Sequence, residues 1–156
     1  MLSEDLMKSS SGSARSANVE RVPPPITSRT VRRPPRSTPQ TLNADICVLG
    51  AGIAGVSAAL EAARLGRSVI IVDAAPSLGG QAVGSIIGTI IGLYTHGPQP
   101  YQITYGIADE LIADLTEEGS LSRRVSMTGT ITFQYDEVRL ARWIERKVED
   151  AGIRAL

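Results

Sequence analysis

This 156-residue chain is poor in the residue types that usually announce chemistry. It has one cysteine, one histidine, one tryptophan and one phenylalanine. A single cysteine, Cys47, excludes an intrachain disulfide and suits a reducing compartment. Its place in an apolar run points to a small buried hydrophobe. One Cys and one His at unrelated positions cannot build a metal cluster, so no metal site is expected. No GxSxG motif or Ser/His/Asp arrangement is present. Nothing near the N-terminus resembles the apolar core of a secretory signal, and the cytoplasm is the default location. Net charge is also lacking, since 16 Lys or Arg balance 16 Asp or Glu.

That balance hides two unlike parts. Residues 1–40 hold six of the nine prolines, eleven Ser or Thr, and seven basic against three acidic residues. Such a stretch buries too little apolar surface to offset its ordering entropy and reads as a disordered basic tail. Its cluster Arg29, Arg32, Arg33 and Arg36 could meet a nucleic acid or an anionic membrane, but a solvated tail is the simpler reading. Residues 41–156 carry nine basic against thirteen acidic residues and should form the folded part.

Within it, Asp45–Asp73 reads DICVLGAGIAGVSAALEAARLGRSVIIVD. Ile46 to Leu49 form a short continuous apolar run, as in a parallel strand covered on both faces. Ile53 to Leu65 follow helical spacing with Gly66 as the stop, and Val69 to Val72 make a second buried strand. The unit is βαβ. Between the first strand and the helix lies Gly50-Ala51-Gly52-Ile53-Ala54-Gly55. There Gly50 permits a tight turn, Gly52 lets backbone approach a pyrophosphate, and Gly55 lets helix pack on strand. The helix dipole and its first N–H groups favour the phosphate charge. Asp73, 23 residues after Gly50, ends the second strand, where a carboxylate accepts from ribose hydroxyls and repels a 2′-phosphate. The unit is therefore expected to hold an adenine dinucleotide, FAD or NAD.

Downstream, Asp73-AAPSL-Gly79-Gly80 continues into GGQAVGSIIGTIIGLYTHG, residues 79–97. An acid followed shortly by a glycine pair resembles the two-dinucleotide-binding-domain flavoproteins. The continuation is similar, more narrowly, to FAD-dependent oxidoreductases related to fumarate reductase and thiazole-synthesis flavoproteins. The resemblance covers residues 44–156 and is strongest over 46–97. It implies FAD as cofactor, held around Gly50, Gly52, Ile53, Ala54, Gly55, Asp73, Gly79, Gly80 and Gln81. Two departures stand out: Asp73 where the family often has Glu, and Ala74–Ala75 where a basic residue commonly follows.

Gly80, Gly84, Gly88 and Gly92 recur at every fourth position. Each interior glycine costs a helix about 1 kcal/mol relative to alanine, so a helical turn running into a loop competes with a continuous helix. A membrane span is excluded by length, since Ala82 to Tyr94 is 13 residues against the roughly 20 required. The resemblance places this stretch beside the flavin ring; tight backbone packing is the alternative. His96 is a weak candidate general base, and Tyr94, Tyr101 and Tyr105 are candidates for lining a pocket. A helix is expected from Ile103 to Glu118, strand pairs or a hairpin from Val125 to Tyr135, and a last helix capped by Asp136 and ending at Gly152. An Arg146–Asp150 pair should decorate it.

Ile153 to Leu156 then open a strand expected to be unpaired. The fold class is α/β, a partial Rossmann-like doubly wound parallel sheet with a small β element. The resemblance implies the ADP-binding part of a flavin-dependent oxidoreductase whose remaining parts lie elsewhere. Three alternatives stay open: a truncated enzyme, a small subunit completed by a partner chain, and a non-catalytic remnant or interaction module. On any of them the isolated chain is expected to bind FAD weakly or not at all and to turn over little. The substrate is not legible.

Overall fold

The computed structural model describes residues 41–156. The expectations for residues 1–40, including the arginine cluster, lie outside the described residues. The βαβ unit forms as read. Strand β1 (Ile46–Leu49) leads through the glycine turn into α1 (Ile53–Arg64), and β2 (Val69–Val72) returns parallel to β1 with Ile46 opposite Val69 and Leu49 opposite Val72. Gly66 stops α1 with a left-handed φ of +73°. The helix buries Val56, Ala59, Leu60 and Ala62, a spacing that keeps one stripe on the sheet.

The chain then makes a single helical turn, α2 (Gln81–Gly84), and a short strand, β3 (Thr89–Ile91). The fourfold glycine repeat is thus one helical turn running into extended chain, as its helix propensity allows. Helix α3 (Ile107–Glu117) starts four residues later than its apolar spacing suggests. Gly106 sits at φ +74° and cannot be helical, and Asp109 accepts its N–H at 2.9 Å. Strand β5 (Ile131–Tyr135) falls within the expected segment, but its hairpin partner β4 (Leu121–Val125) begins four residues before it, and β3 adds antiparallel to β5 to give the order β3-β5-β4.

Helix α4 (Glu137–Asp150) is capped by the Asp136 side chain, which accepts the Arg139 N–H at 2.9 Å. It packs against α1, α2 and α3 and buries Leu140, Trp143, Ile144 and Val148. Its Arg146 pairs with Glu118 of the α3 C-cap at 2.6 Å rather than with Asp150. A cross-helix partner wins because α3 lies alongside.

Two expectations are corrected here. The last strand, β6 (Arg154–Ala155), is paired: it runs parallel to β2, giving the order β1-β2-β6. The Leu156 N–H donates to Ile71 O at 3.0 Å, and Leu156 O accepts the Asp73 N–H at 3.1 Å. The helix-then-AGIRAL segment therefore sits beside the second strand, on the side away from β1. Consequently, among the described residues, β2 is central and buried, whereas β1 is an edge. Ile46 is 36 % and Leu49 81 % exposed, and Cys47 is exposed rather than a buried hydrophobe. Only a strand with neighbours and helices on both sides loses its solvent, and β1 has one strand neighbour.

No helix among the described residues is long and apolar enough to cross a membrane.

Candidate functional site

The sequence-predicted residues converge at the carboxyl end of the parallel sheet. Gly50 continues the β1–β2 ladder, its N–H donating to Val72 O at 2.7 Å. Ala51, fully buried, is then fixed at both ends of its own peptide. Its N–H donates to Asp73 Oδ2 at 2.5 Å, and its carbonyl accepts the Gly79 N–H at 2.7 Å. A parallel bridge between Gly52 and Gly79 completes the join. The fingerprint loop, the acid at the end of β2 and the glycine pair are thus one assembly, although 29 residues separate its ends.

Two close approaches explain why glycine is needed. A β-carbon on Gly55 would overlap the carbonyl oxygen of Gly50, so a side chain there would push α1 off the turn. A β-carbon on Gly80 would stand 2.9 Å from Gly52 Cα. Gly52 is different. It is the N-cap of α1 with extended backbone (φ −66°, ψ 174°), and a β-carbon there would meet nothing within 4 Å. The space in front of Gly52 is open, as a docking backbone or phosphate requires.

As a glycine, that N-cap gives α1 no side-chain cap, and no acid occupies the first turn. The N–H groups of Ile53, Ala54 and Gly55 precede the first helical acceptor, so they face outward for a ligand. Val56 N–H, at 2.9 Å from Gly52 O, is the first intrahelical donor here. An anion finds donors and a favourable dipole without a competing carboxylate.

Asp73 is half-buried, with Oδ1 accepting the Ala75 N–H at 2.8 Å and Oδ2 the Ala51 N–H. These backbone hydrogen bonds, Ala75 first and Ala51 second, hold its carboxyl below the usual aspartate range, and it is ionised at neutral pH. Each oxygen keeps a second lone pair for a hydroxyl donor. The contact to Ala51 is the feature that sequence reasoning missed, since the acid orders the loop as well as facing the site. Gln81, the first residue of α2, is exposed next to Gly80.

His96 lies apart from this assembly. It is exposed, and its Nδ1 is 2.8 Å from Thr130 Oγ1 at the base of the β4–β5 turn. Tyr94 stacks on Phe133 with ring centroids 5.9 Å apart, and its hydroxyl bonds Gln102. Tyr105 donates to Gln102 O, while Tyr101 is 67 % exposed.

A βαβ unit whose glycine turn, terminal acid and following glycine pair close on one another agrees with the relationship found on comparison. The match to the family described as FAD dependent oxidoreductase spans residues 45–156. The chain belongs to this family. Its cofactor is FAD. The chain is also similar to a ferredoxin–NADP reductase of Gluconobacter oxydans (strain 621H), with 44 % identity over 45 residues, 29 % of this chain and 13 % of the reductase. Among solved structures it is similar to Thermovibrio ammonificans THI4, at 23 % identity and a TM-score of 0.45, covering 72 % of this chain and 38 % of that one. The chain therefore spans well under half the length of either relative.

The residues present fit the ADP half of FAD on their own geometry. The outward N–H groups of α1 suit a diphosphate, the open space at Gly52 admits it, and the ionised Asp73 suits ribose hydroxyls.

Proposed function

We propose that residues 41–156 are the ADP-binding part of a flavin-dependent oxidoreductase. Gly50, Gly52, Ile53, Ala54 and Gly55 hold the diphosphate, Asp73 the adenosine ribose, and Gly79, Gly80 and Gln81 flank the diphosphate from the other side. When bound, FAD supplies a site for hydride or electron transfer. The chain's own residues bind and orient it. The catalytic residue is unassigned; His96 stays a weak candidate, its Nδ1 bonded to Thr130 Oγ1. The remaining part of the flavin site, in a further segment or a second chain, a small-molecule substrate and a cytoplasmic location complete the reading.

The observation that carries it is the double fixing of Ala51 by Asp73 and Gly79. A loop already set in the binding geometry binds without an ordering cost. That favours weak FAD binding by this chain over none. FAD titrated into the full chain, followed by quenching of flavin fluorescence, should saturate at high FAD concentration, with NAD binding less tightly. No saturable FAD binding, or equal preference for NAD, would overturn the reading.

Asp73→Ala should weaken FAD by about tenfold to a hundredfold, the loss of one or two charge-assisted hydrogen bonds. It also frees the Ala51 N–H, so flexibility of residues 50–52, read by amide exchange, should rise in the same variant. Asp73→Asn keeps an acceptor for Ala51 and should lie between the two.

A further inference from the structure

Beside the nucleotide loop lies a second concavity of about 550 Å³, a size that takes small molecules. Its walls come from α1, α2, β3, α3 and α4, with Ile53, Ile87, Ile91, Leu111 and Leu140 among its apolar lining. Ile53 opens α1 directly after Gly52, and Ala82 follows Gly80 by two residues. The concavity is therefore built on the same two elements as the glycine motifs. Ile53, Ser57 and Glu61 line it at intervals of four, one stripe of α1 that the sheet does not cover.

Among the described residues, Glu61 is the only charged one in the lining. It is one end of a chain of ion pairs: Glu61 to Arg64 at 3.0 Å, Arg64 to Glu110 at 2.7 Å, Glu110 to Lys147 at 3.5 Å, and Lys147 to Asp114 at 3.0 Å. Three carboxylates share two cations, which leaves one surplus negative charge. The Glu61 side chain is 52 % exposed, and among the described residues its Oε1 is the oxygen that Arg64 engages. An apolar site with a negative rim repels carboxylates and phosphates, which would also lose their water without an ion to replace it. A ligand ammonium gains a partner instead.

We propose that this concavity is a small-molecule site for amines with an apolar body, the ammonium at Glu61 and the hydrocarbon between α1, β3 and α3. The proposal goes beyond the FAD reading and does not need it. Titration calorimetry on the full chain with n-heptylamine, heptanol and heptanoate tests it. Heptylamine should bind at least about tenfold more tightly than heptanoate, the scale of one charge-assisted contact, with heptanol between them. Glu61→Gln should bring heptylamine to the affinity of heptanol. Ala108→Phe or Ser57→Phe, each filling the space from a different helix, should abolish binding of all three; a variant counts only if its circular dichroism matches the parent.

Equal binding of amine and carboxylate, or heptylamine binding unchanged in the folded filling variants, would overturn the proposal. So would competition between heptylamine and FAD, which would make the space part of the flavin's own site. Heptylamine binding by a chain that ignores FAD would support this site while removing the FAD reading. FAD binding with no heptylamine binding would do the reverse.

Discussion

Gly52→Val is expected to abolish FAD binding while leaving the chain folded. Gly52 has ordinary extended backbone, open to any residue, and a β-carbon there meets nothing within 4 Å. The valine branches would then occupy the space that the diphosphate needs in front of the first α1 amides. We expect affinity to fall at least about a hundredfold, equivalent to roughly 2.7 kcal/mol, with far-UV circular dichroism and melting temperature close to the parent. The neighbouring Gly55→Ala should do the opposite. Its β-carbon would collide with Gly50 O inside the protein, so the helix must shift, and melting temperature should drop before any ligand is added. Measured together, the two variants separate a glycine kept for ligand approach from one kept for packing. Equal FAD affinity in Gly52→Val and parent would remove the diphosphate from this loop.

The contrast also explains what the sequence could and could not convey. The βαβ unit was readable because its signals are local: an apolar run, three glycines at fixed spacing, a helical stripe and an acid at a strand end. The α4 cap at Asp136 and strand β5 were readable for the same reason, whereas the charged run Leu-Ser-Arg-Arg of β4 did not announce a strand. Contacts between distant segments were not. Strand β3 pairs with β5 across some forty residues, and nothing in Thr-Ile-Ile names its partner. The exposure of Cys47 depends on β1 being an edge, which is a property of strand order and not of the run ICVL. The pairing of β6 with β2 is likewise a matter of order. At the site, spacing located Asp73 but not its second task of holding Ala51, because a side chain's partner across a turn is set in three dimensions.

Trp143→Ala should be among the most destabilising single changes in the folded part, at about 3–5 kcal/mol. Trp143 is 2 % exposed at the centre of α4 and belongs to the main hydrophobic core. Its Nε1–H donates to Asp114 Oδ2 of α3 at 2.8 Å, and Lys147 Nζ, 5.4 Å from the ring centroid, reaches the same carboxylate at 3.0 Å. One residue thus fills the core and ties α3 to α4. Trp143→Phe separates the two roles, because it keeps most of the apolar area and loses the donor. Asp114 is held below the usual aspartate range, first by Trp143 and then by Lys147, so its folded pKa lies below its unfolded value of about 3.9. A depressed pKa contributes stability above the unfolded value, and that contribution disappears as pH falls through the folded one. In Trp143→Phe the carboxyl moves back toward its ordinary value, so the variant starts with less of this stability and has less to lose. Urea denaturation at pH 7 and again below pH 4 checks the sign: the gap between parent and Trp143→Phe should narrow in acid. The gap for Trp143→Ala should persist there, because a cavity does not titrate.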